Sequence, residues 1–294
     1  MDLDVLKIRP LVRAEFEQVM KWAGAEGWNP GLHDGDIFWQ TDPNGYLGVE
    51  LDGEVVAAGS VVSYGGQFGF MGFFIVRADL RGKGIGTRLW FHRRDALLAR
   101  LAPGASIAMD GVFDMQDWYA KGGFVFAHRN LRMQGVGRRV KAKTAVSQGC
   151  VDLGELPFAM VADYDRRHFG FDRERFLRSW IQPESGRALG ILDEGKLVAS
   201  GVVRECAEGF KIGPLFADNE KLATQLFAAL GDRAAGQPLI LDVPEVNASA
   251  MKLAQQSDMK EIFGCARMYY GESSAKASQL PWSNIYGITT FELG

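Results

Sequence analysis

Glycines at positions 82, 84 and 86 lie among basic side chains in the segment VRADLRGKGIGTRLW, residues 76–90, where an apolar stretch leads into a helical one. Glycine permits close backbone approach to a ligand and positive φ angles. A helix N-terminus presents backbone N–H groups, and its dipole favours negative charge. Arg81, Lys83 and Arg88 add positive charge. The segment therefore predicts a pyrophosphate-binding site.

Three phosphate-binding motifs compete for this segment. A P-loop requires G-x-x-x-x-G-K-[ST], which the segment does not match. A dinucleotide fingerprint requires G-x-G-x-x-G in a βαβ unit, whereas Leu89 stands at the last glycine position and hairpins precede it. The pattern [RQ]-x-x-G-x-[GA] is matched in full by Arg81, Gly84 and Gly86. The alternative to a ligand site is a tight turn with solvated arginines.

The elements that must position this segment follow from hydrophobic spacing. An Asp-Gly turn between alternating apolar residues predicts a hairpin of YLGVEL and EVVAAGSVVSY, extended by QFGFMGFFIV. Helical spacing predicts helices in AEFEQVMKWA, from Gly84 to Ala102, and in MQDWYAKGG. LKIRPL, SIAMDGV and FVFAHRNLRM are predicted strands, and the Gly- and Pro-rich region 26–45 predicts a loop or a broken helix.

The second half of the chain repeats the first in the same order. DGEVVAAGSVV (52–62) matches EGKLVASGVVR (194–204), and GFMGFFIVRAD (69–79) matches GFKIGPLFAD (209–218). AMDGVFDMQDWYAKGGF has a weaker counterpart in LDVPEVNASAMKLAQQSDM. Three matches in register predict two copies of one fold. We therefore predict domains at 1–137 and 150–294, joined by a basic linker at 138–149.

The two copies differ at the glycine-rich turn. After RAD the first copy reads LRGKGIGTRLW, and after FAD the second reads NEKLATQLF. The second copy keeps a strand and a helix but has no glycine or arginine between them. Because the fold tolerates their absence, a ligand explains the turn of the first copy better than folding does.

Composition narrows the class of protein. The 294 residues are 47% hydrophobic and 23% charged, which is typical of a globular protein with room for two cores. The net charge of -3 argues against a nucleic-acid partner. Cys150, Cys206 and Cys265 are widely spaced and odd in number, so we expect no disulfide framework, no metal site and a reducing cytoplasm. No apolar run of about 18 residues predicts a membrane span, and the first residues do not resemble a signal peptide.

Residues 5–133 resemble the GNAT superfamily of N-acetyltransferases. The resemblance rests on the R-x-x-G-x-G segment, the hairpin before it, the helix after it and the later WYAKGGF. The whole chain, including GWNPG, DVPEVN and RMYYG, is similar to a subgroup with an active GNAT domain followed by a divergent GNAT-like one. It implies an α/β (α+β mixed sheet) fold class: a tandem acyl-CoA N-acyltransferase fold of two similar domains.

The resemblance implies a site for acetyl-CoA. The backbone of Phe74, Ile75 and Val76 is expected to pair with the pantetheine arm. The pyrophosphate is expected to contact the loop and helix start formed by Arg81, Gly82, Lys83, Gly84, Ile85, Gly86 and Thr87. The strands before and after the loop helix are expected to splay apart where the thioester meets the acceptor. An amine would attack the thioester carbonyl there directly, and a backbone N–H of the splayed strand would stabilise the oxyanion.

The resemblance also implies candidate catalytic residues. Tyr119 is expected to protonate the leaving thiolate, and its alternative is a packed aromatic residue. The glutamate that many members carry before the loop is missing from MGFFIV. Asp110 and Glu50 are therefore candidate general bases, acting directly or through water. His33 and Asp34 are further candidates, since the corresponding region of the family lines the acceptor pocket. A structural role is the alternative for each, since an aspartate at a strand end often caps a helix.

The function implied is an acetyl-CoA-dependent N-acetyltransferase acting, in its first domain, on the primary amine of a small molecule. Transfer to a protein or peptide amine is an alternative, and a non-catalytic acyl-CoA-binding sensor is another. The second domain lacks the loop and has Ala254 at the tyrosine position, so we expect it not to bind CoA in the usual way. It is expected to pack against the first domain, in a monomer or a homodimer. There it would either help to wall the acceptor site or only stabilise the first domain.

Overall fold

The chain folds into two halves of similar element order. A computed structural model describes residues 6–140, 149–270 and 279–294. The strands of the first half are β1 (Lys7–Pro10), β2 (Tyr46–Leu51), β3 (Glu54–Tyr64), β4 (Phe68–Val76), β5 (Ser106–Val112) and β6 (Phe124–Val136). Its helices are α1 (Arg13–Ala25), α2 (Asp34–Thr41), α3 (Ile85–Leu98) and α4 (Gln116–Lys121).

The second half repeats this order and adds a short last strand. Its strands are β7 (Cys150–Asp152), β8 (Gly186–Asp193), β9 (Lys196–Glu205), β10 (Phe210–Ala217), β11 (Pro238–Pro244), β12 (Lys260–Tyr270) and β13 (Ile285–Gly287). Its helices are α5 (Phe158–Phe169), α6 (Glu174–Trp180), α7 (Glu220–Gly231) and α8 (Ala248–Gln256). Of the predicted linker at 138–149, residues 141–148 lie outside the described residues, so the domain boundaries stay a prediction.

Local sequence explains most of these elements. The turn between β2 and β3 has positive φ at Asp52 (52°) and Gly53 (84°), as a two-residue hairpin turn of type I′ requires. The region 26–45, predicted as a loop or a broken helix, contains α2. The helix predicted from Gly84 to Ala102 ends earlier, at Leu98. Pro103 follows closely, and the residue before a proline is disfavoured from helical backbone.

The two halves share one sheet and exchange a strand. Among the described residues, thirteen strands form a sheet in the order β1-β2-β3-β4-β5-β12-β6-β11-β10-β9-β8-β7, and β13 pairs with β10. Only the β4–β5 and β10–β11 pairs are parallel, so the sheet is mixed, as predicted. The last long strand of each half lies beside the other half: β12 pairs with β5, and β6 pairs with β11. Neither half therefore completes its own sheet.

An aspartate–arginine pair marks each place where a strand has been exchanged. Arg267 of β12 faces Asp110 of β5, and Arg132 of β6 faces Asp242 of β11. Arg267 donates to Asp110 at 2.9 and 2.7 Å, and Arg132 donates to Asp242 at 2.7 and 2.9 Å. All four side chains are buried. Such bidentate pairs are directional, which favours one register of the exchanged strands.

The segment 285–294 runs from the second half into the first. It starts as β13, which pairs with β10 at Leu215 and Phe216. The Ile288 N–H then donates to the carbonyl oxygen of Asp242 (2.9 Å), and the Tyr64 hydroxyl donates to that of Leu293 (2.8 Å). Every residue from 285 to 294 is buried. The segment therefore brings residues of the second half against β4.

Candidate active site

A cavity of about 680 Å³ opens between β4 and β5. The two parallel strands pair from Phe68 to Met71 on β4 and from Ser106 to Met109 on β5, and within the described residues no strand pairs with this edge of β4 beyond Met71. The backbone from 72 to 76 lines the cavity instead. The volume is typical of a small-molecule site, and the free strand edge offers backbone donors and acceptors.

A bulge in β4 produces this opening. Ser60 of β3 pairs with Gly72 and Ala58 pairs with Ile75, so Gly59 alone faces two residues of β4. Phe73, within the bulge, has a φ of 48°, which is rare for a residue with a side chain. A bulge bends its strand and often redirects groups near an active site.

Arg93 of α3 forms hydrogen bonds with the backbone of β3 and β4 beside the bulge. Its Nη2 donates to the carbonyl oxygens of Ser60 and Gly72, both at 2.7 Å. A Cβ at Gly59 would overlap its guanidinium, so a side chain at this position would displace Arg93. The side chain lines the cavity and is fully buried, and burial lowers the pKa of Arg93 to about 9. Arg93 is therefore still charged at neutral pH, and it places a positive charge at the base of the cavity.

One end of the cavity, the loop end, is formed by Gly82, Gly84, Gly86 and Thr87. Gly82 and Gly84 have φ angles of 75° and 85°, so both need glycine. Gly84 is the N-cap of α3 and makes no side-chain capping bond. The first intrahelical bond is from Arg88 to Gly84, so the N–H groups of residues 85–87 have no partner in the helix. The loop end can therefore bind an anion.

The corresponding places in the second half are filled by the chain itself. The N-cap of α7 is Asn219, whose side chain accepts a hydrogen bond from the Leu222 N–H at 3.1 Å. β13 pairs with β10 where the corresponding edge of β4 is open. Asn219 satisfies a helix donor that α3 leaves free, and β13 covers the strand edge. The open edge and uncapped helix thus belong to the first half.

Most residues predicted to bind the ligand line the cavity. Those that do are Phe74, Ile75, Val76, Arg81, Gly82, Gly84, Gly86 and Thr87. Lys83 and Ile85 belong to the same loop but do not line the cavity, and Ile85 is fully buried in the core below it. Arg81 donates to the Val76 carbonyl oxygen (2.9 Å) and forms an ion pair with Glu26 at the mouth.

Tyr119 of α4 lies in the wall of the cavity, packed against Trp90 with ring centroids 4.9 Å apart. It is 4% exposed, and burial raises the pKa of Tyr119 to about 12. Its hydroxyl therefore keeps its proton at neutral pH. The placement suits a hydrogen-bond donor to a group held between β4 and β5.

Asp110 also lines the cavity, but its carboxylate is engaged. Oδ1 accepts from Asn130 (2.8 Å) and Arg267, and Oδ2 accepts a second hydrogen bond from Arg267. The side chain is 0% exposed. The pair is the β5–β12 junction described above, so Asp110 contributes to the strand exchange.

Three other predicted residues lie outside this cavity. Glu50 of β2 accepts a hydrogen bond from Arg9 at 2.6 Å. His33, at the N-cap of α2, is within 3.2 Å of the Ser185 hydroxyl. Asp34 is buried and pairs with Arg204 at 2.8 Å. His33 and Asp34 thus connect the first half to the second.

The other end of the cavity, the aromatic end, is formed by Trp28, Phe73, Phe263 and Phe291. The Phe263 and Phe291 rings are 6.0 Å apart, and the Trp28 and Phe73 rings are 6.4 Å apart. Glu292 also lines the cavity here. Phe263 lies on β12, and Phe291 and Glu292 lie in the segment 285–294. Sequence reasoning missed all three. Phe263 reaches the cavity with the exchanged strand β12, and Phe291 and Glu292 reach it with the segment 285–294, and the local sequence shows neither path.

The described residues contain no group of three or more His, Cys, Asp or Glu side chains placed to hold a metal ion. In the same ranges, no helix combines the length and apolar character needed to cross a membrane.

Comparisons with known proteins identify the family of the chain. Residues 11–124 match a model described as "Acetyltransferase (GNAT) family", and residues 161–287 match one described as "Acetyltransferase (GNAT) domain". The chain is 32% identical to holothin acyltransferase of Pseudoalteromonas sp. (strain SANK 73390) over 290 residues, covering 97% of this chain and 94% of that protein.

Two solved structures share the fold. A putative acetyltransferase from Pyrococcus horikoshii has a TM-score of 0.82 at 23% identity and covers 100% of this chain and 98% of its own. A tandem GNAT protein from the clavulanic acid biosynthesis pathway has a TM-score of 0.58 at 16% identity, covering 90% of this chain and 98% of its own. The two family matches and the name of the second of these proteins support a tandem arrangement of GNAT folds.

Proposed function

Because the chain belongs to the GNAT family of acetyltransferases and is an acyltransferase of that type, we propose that it transfers the acetyl group of acetyl-CoA to the primary amine of a small molecule. The proposal rests mainly on one observation. The N-terminus of α3, the open edge of β4 and the aromatic end with the Glu292 carboxylate all line the same cavity.

The residues present fit acetyl-CoA. The free N–H groups at the start of α3 and the positive φ angles of Gly82 and Gly84 suit the pyrophosphate. The backbone of Phe74, Ile75 and Val76 at the open edge of β4 would hold the pantetheine arm. Arg81, already bound to Val76 and Glu26, would add charge at the mouth. When bound, acetyl-CoA would supply an acyl thioester. Its acyl carbon would be joined to the amine nitrogen as the sulfur leaves as a thiolate, which takes a proton from solvent.

The protein's own groups would act on the charges that develop during transfer. Backbone N–H groups on the open edge of β4 beyond Met71 would stabilise negative charge on oxygen. The Tyr119 hydroxyl would donate a hydrogen bond to the leaving sulfur. Since the pKa of Tyr119 is raised to about 12, while an ordinary thiol titrates near about 8.5, hydrogen-bond donation is favoured over complete proton transfer. Arg93 would contribute a nearby positive charge.

The aromatic end supports an amine carried on a small, flat, apolar body. Trp28, Phe73, Phe263 and Phe291 offer ring faces for such a group. Arg132 and Lys211 hold Trp28 in place by donating to its carbonyl oxygen, at 2.7 and 3.3 Å. The similarity to a protein named holothin acyltransferase supports a small-molecule acceptor.

Thiol release from acetyl-CoA, measured with a panel of small amines, tests the proposal. The panel should include flat aromatic amines, aliphatic amines and lysine-containing peptides. We expect turnover with at least one small amine and a preference for flat ones. Turnover only on peptides would show that the acceptor is a peptide amine and not the amine of a small molecule. Tight acetyl-CoA binding without turnover on any amine would favour a sensor.

A further inference from the structure

Glu292 belongs to the second half of the chain but lies in the cavity of the first. The segment 285–294 carries it there, and its main-chain oxygen lies against Gly72, the residue just before the β4 bulge. Phe73 and Phe291, the residues that follow Gly72 and precede Glu292, belong to the aromatic end. Glu292 thus lies where the free edge of β4 meets the aromatic end.

The Glu292 carboxylate is buried without a hydrogen bond to one of its oxygens. The residue is 3% exposed, and Oε1 has no hydrogen-bond partner among the residues that the structure describes. Burial of an unpaired polar group is costly, so such a group is expected to have a use. The energetic cost would be relieved by a hydrogen-bond donor on a ligand.

The charged groups around Glu292 are bound to other partners. Those acting on it are Lys211 of β10, Arg132 of β6, Asp34 of α2 and Arg204 of β9, with Asp242 of β11 beside Arg132. Arg132 is paired with Asp242, and Arg204 is paired with Asp34. Lys211 donates to the carbonyl oxygens of Trp28 and Asn29. Burial raises the pKa of Glu292, and the neighbouring cations only partly offset this.

Two other carboxylates line the cavity. Asp110 is engaged by Arg267 and Asn130. Glu26 forms an ion pair with Arg81 at the mouth. Glu292 differs from both because it is buried at the aromatic end with an oxygen that makes no hydrogen bond.

We infer that Glu292 is the general base of the acyl transfer and receives the proton of the acceptor amine, an inference that rests on the proposed function. The N–H bond of the attacking amine breaks, its electron pair stays on nitrogen, and an O–H bond forms on the carboxylate. The nitrogen loses its positive charge, and Glu292 becomes a neutral carboxylic acid. It returns the proton to solvent when the product leaves. The second half of the chain therefore supplies a catalytic residue to the first.

Glu292→Gln tests this inference, with Glu245→Gln as the control. Glu245 lies outside the cavity and accepts a hydrogen bond from the Arg129 N–H. With the best amine of the panel, we expect Glu292→Gln to lower kcat by about 100-fold or more. Glu245→Gln should keep the wild-type rate, and both variants should bind acetyl-CoA with wild-type affinity in calorimetry.

Two further readouts separate a proton acceptor from a packing residue. On acidification, the wild-type rate should fall with an apparent pKa above that of an ordinary glutamate. This fall should be absent from the pH–rate profile of Glu292→Gln. Calorimetry without acetyl-CoA should show weaker binding of the protonated amine to Glu292→Gln. Wild-type kcat and an unchanged pH profile in this variant would overturn the inference.

If Glu292→Gln does not fold, Glu292→Asp provides the test, because it keeps the charge and withdraws the carboxylate. A fall in kcat of about 10-fold or more would support the inference, since small displacements of a reacting group are costly. A wild-type kcat in Glu292→Asp would overturn it. Failure of the wild-type protein to acetylate any amine would instead overturn the proposed function, so the two failures are distinct.

Discussion

The main-chain oxygen of Glu292 lies so close to Gly72 that a Cβ at position 72 would overlap it. The contact is between two backbones, so neither can move without shifting a strand or the segment 285–294. We therefore expect Gly72→Ala to displace Glu292 and to lower kcat for acyl transfer by about 10-fold to 100-fold. Acetyl-CoA binding, measured by calorimetry, should change much less, because the loop end lies elsewhere.

Gly24→Ala is the matched control for Gly72→Ala. Gly24 lies in α1, and an added Cβ there would meet no atom within 4 Å. Alanine should raise the unfolding free energy by about 0.5–1 kcal/mol and leave kcat unchanged. Wild-type kcat in Gly72→Ala would contradict a functional role for the contact between β4 and Glu292.

The free helix N-terminus at Gly84 predicts where the protein binds the phosphates of acetyl-CoA. Gly84→Glu places a negative charge and a side chain at the loop end, and the position has a φ of 85°. We expect the dissociation constant for acetyl-CoA to rise by about 100-fold or more, from repulsion and lost amide contacts. An unchanged dissociation constant would show that the loop end does not bind the phosphates of acetyl-CoA.

Asn219→Ala in α7 provides the control for Gly84→Glu. It removes the side-chain cap of the corresponding helix in the second half. We expect the unfolding free energy to fall by about 1 kcal/mol, with acetyl-CoA affinity unchanged. Reduced acetyl-CoA affinity in this variant would show that the second half also takes part in binding.

Much of the first half could be predicted from local sequence. The strands at 46–51, 54–64 and 106–112 begin and end where the alternation of apolar residues placed them. The glycine-rich turn was assigned from composition and from its loss in the second copy. Short-range patterns suffice here because hairpin turns and helix starts are determined by neighbouring residues.

The aromatic end could not be predicted in this way. Its residues come from segments far apart in the chain, Trp28 near one end and Glu292 near the other. They meet because β12 lies beside β5 and the segment 285–294 runs against β4, and no spacing within a single element encodes either arrangement. The pairing of β12 with β5 also explains why Asp110, singled out as a possible base, is bound to Arg267. The sequence around a polar residue at a strand end is the same whether the residue acts as a base or forms an ion pair with another strand.

Tyr119→Phe tests the hydrogen bond to the leaving sulfur. The substitution keeps the ring in contact with Trp90 and removes only the hydroxyl. We expect kcat to fall by about 10-fold to 100-fold with little change in acetyl-CoA affinity. Because burial raises the pKa of Tyr119 to about 12, the hydroxyl stays protonated below pH 11 and the shape of the pH profile should not change. An unchanged kcat would show that the Tyr119 hydroxyl does not assist the departure of the sulfur.

The buried Arg132–Asp242 pair predicts how strongly the exchanged strands depend on one another. Asp242→Ala would leave the Arg132 cation buried and unpaired, so we expect the free energy of unfolding, measured in urea, to fall by about 3–5 kcal/mol. Lys252→Ala breaks the exposed ion pair with Glu220 and should change the free energy of unfolding by about 1 kcal/mol or less.

The same pair predicts an acid sensitivity with a defined sign. Burial alone would raise the pKa of Asp242, but Arg132 holds it below its ordinary value. A carboxyl whose pKa is lower in the folded state contributes stability above its unfolded pKa of about 3.9, and this stability is lost as the pH falls through the folded pKa. The difference in unfolding free energy between wild type and Asp242→Ala should therefore be constant near neutral pH and shrink below about pH 4. A difference that grew on acidification would contradict the ion pair, since protonation of Asp242 would then not be what weakens the junction between β6 and β11.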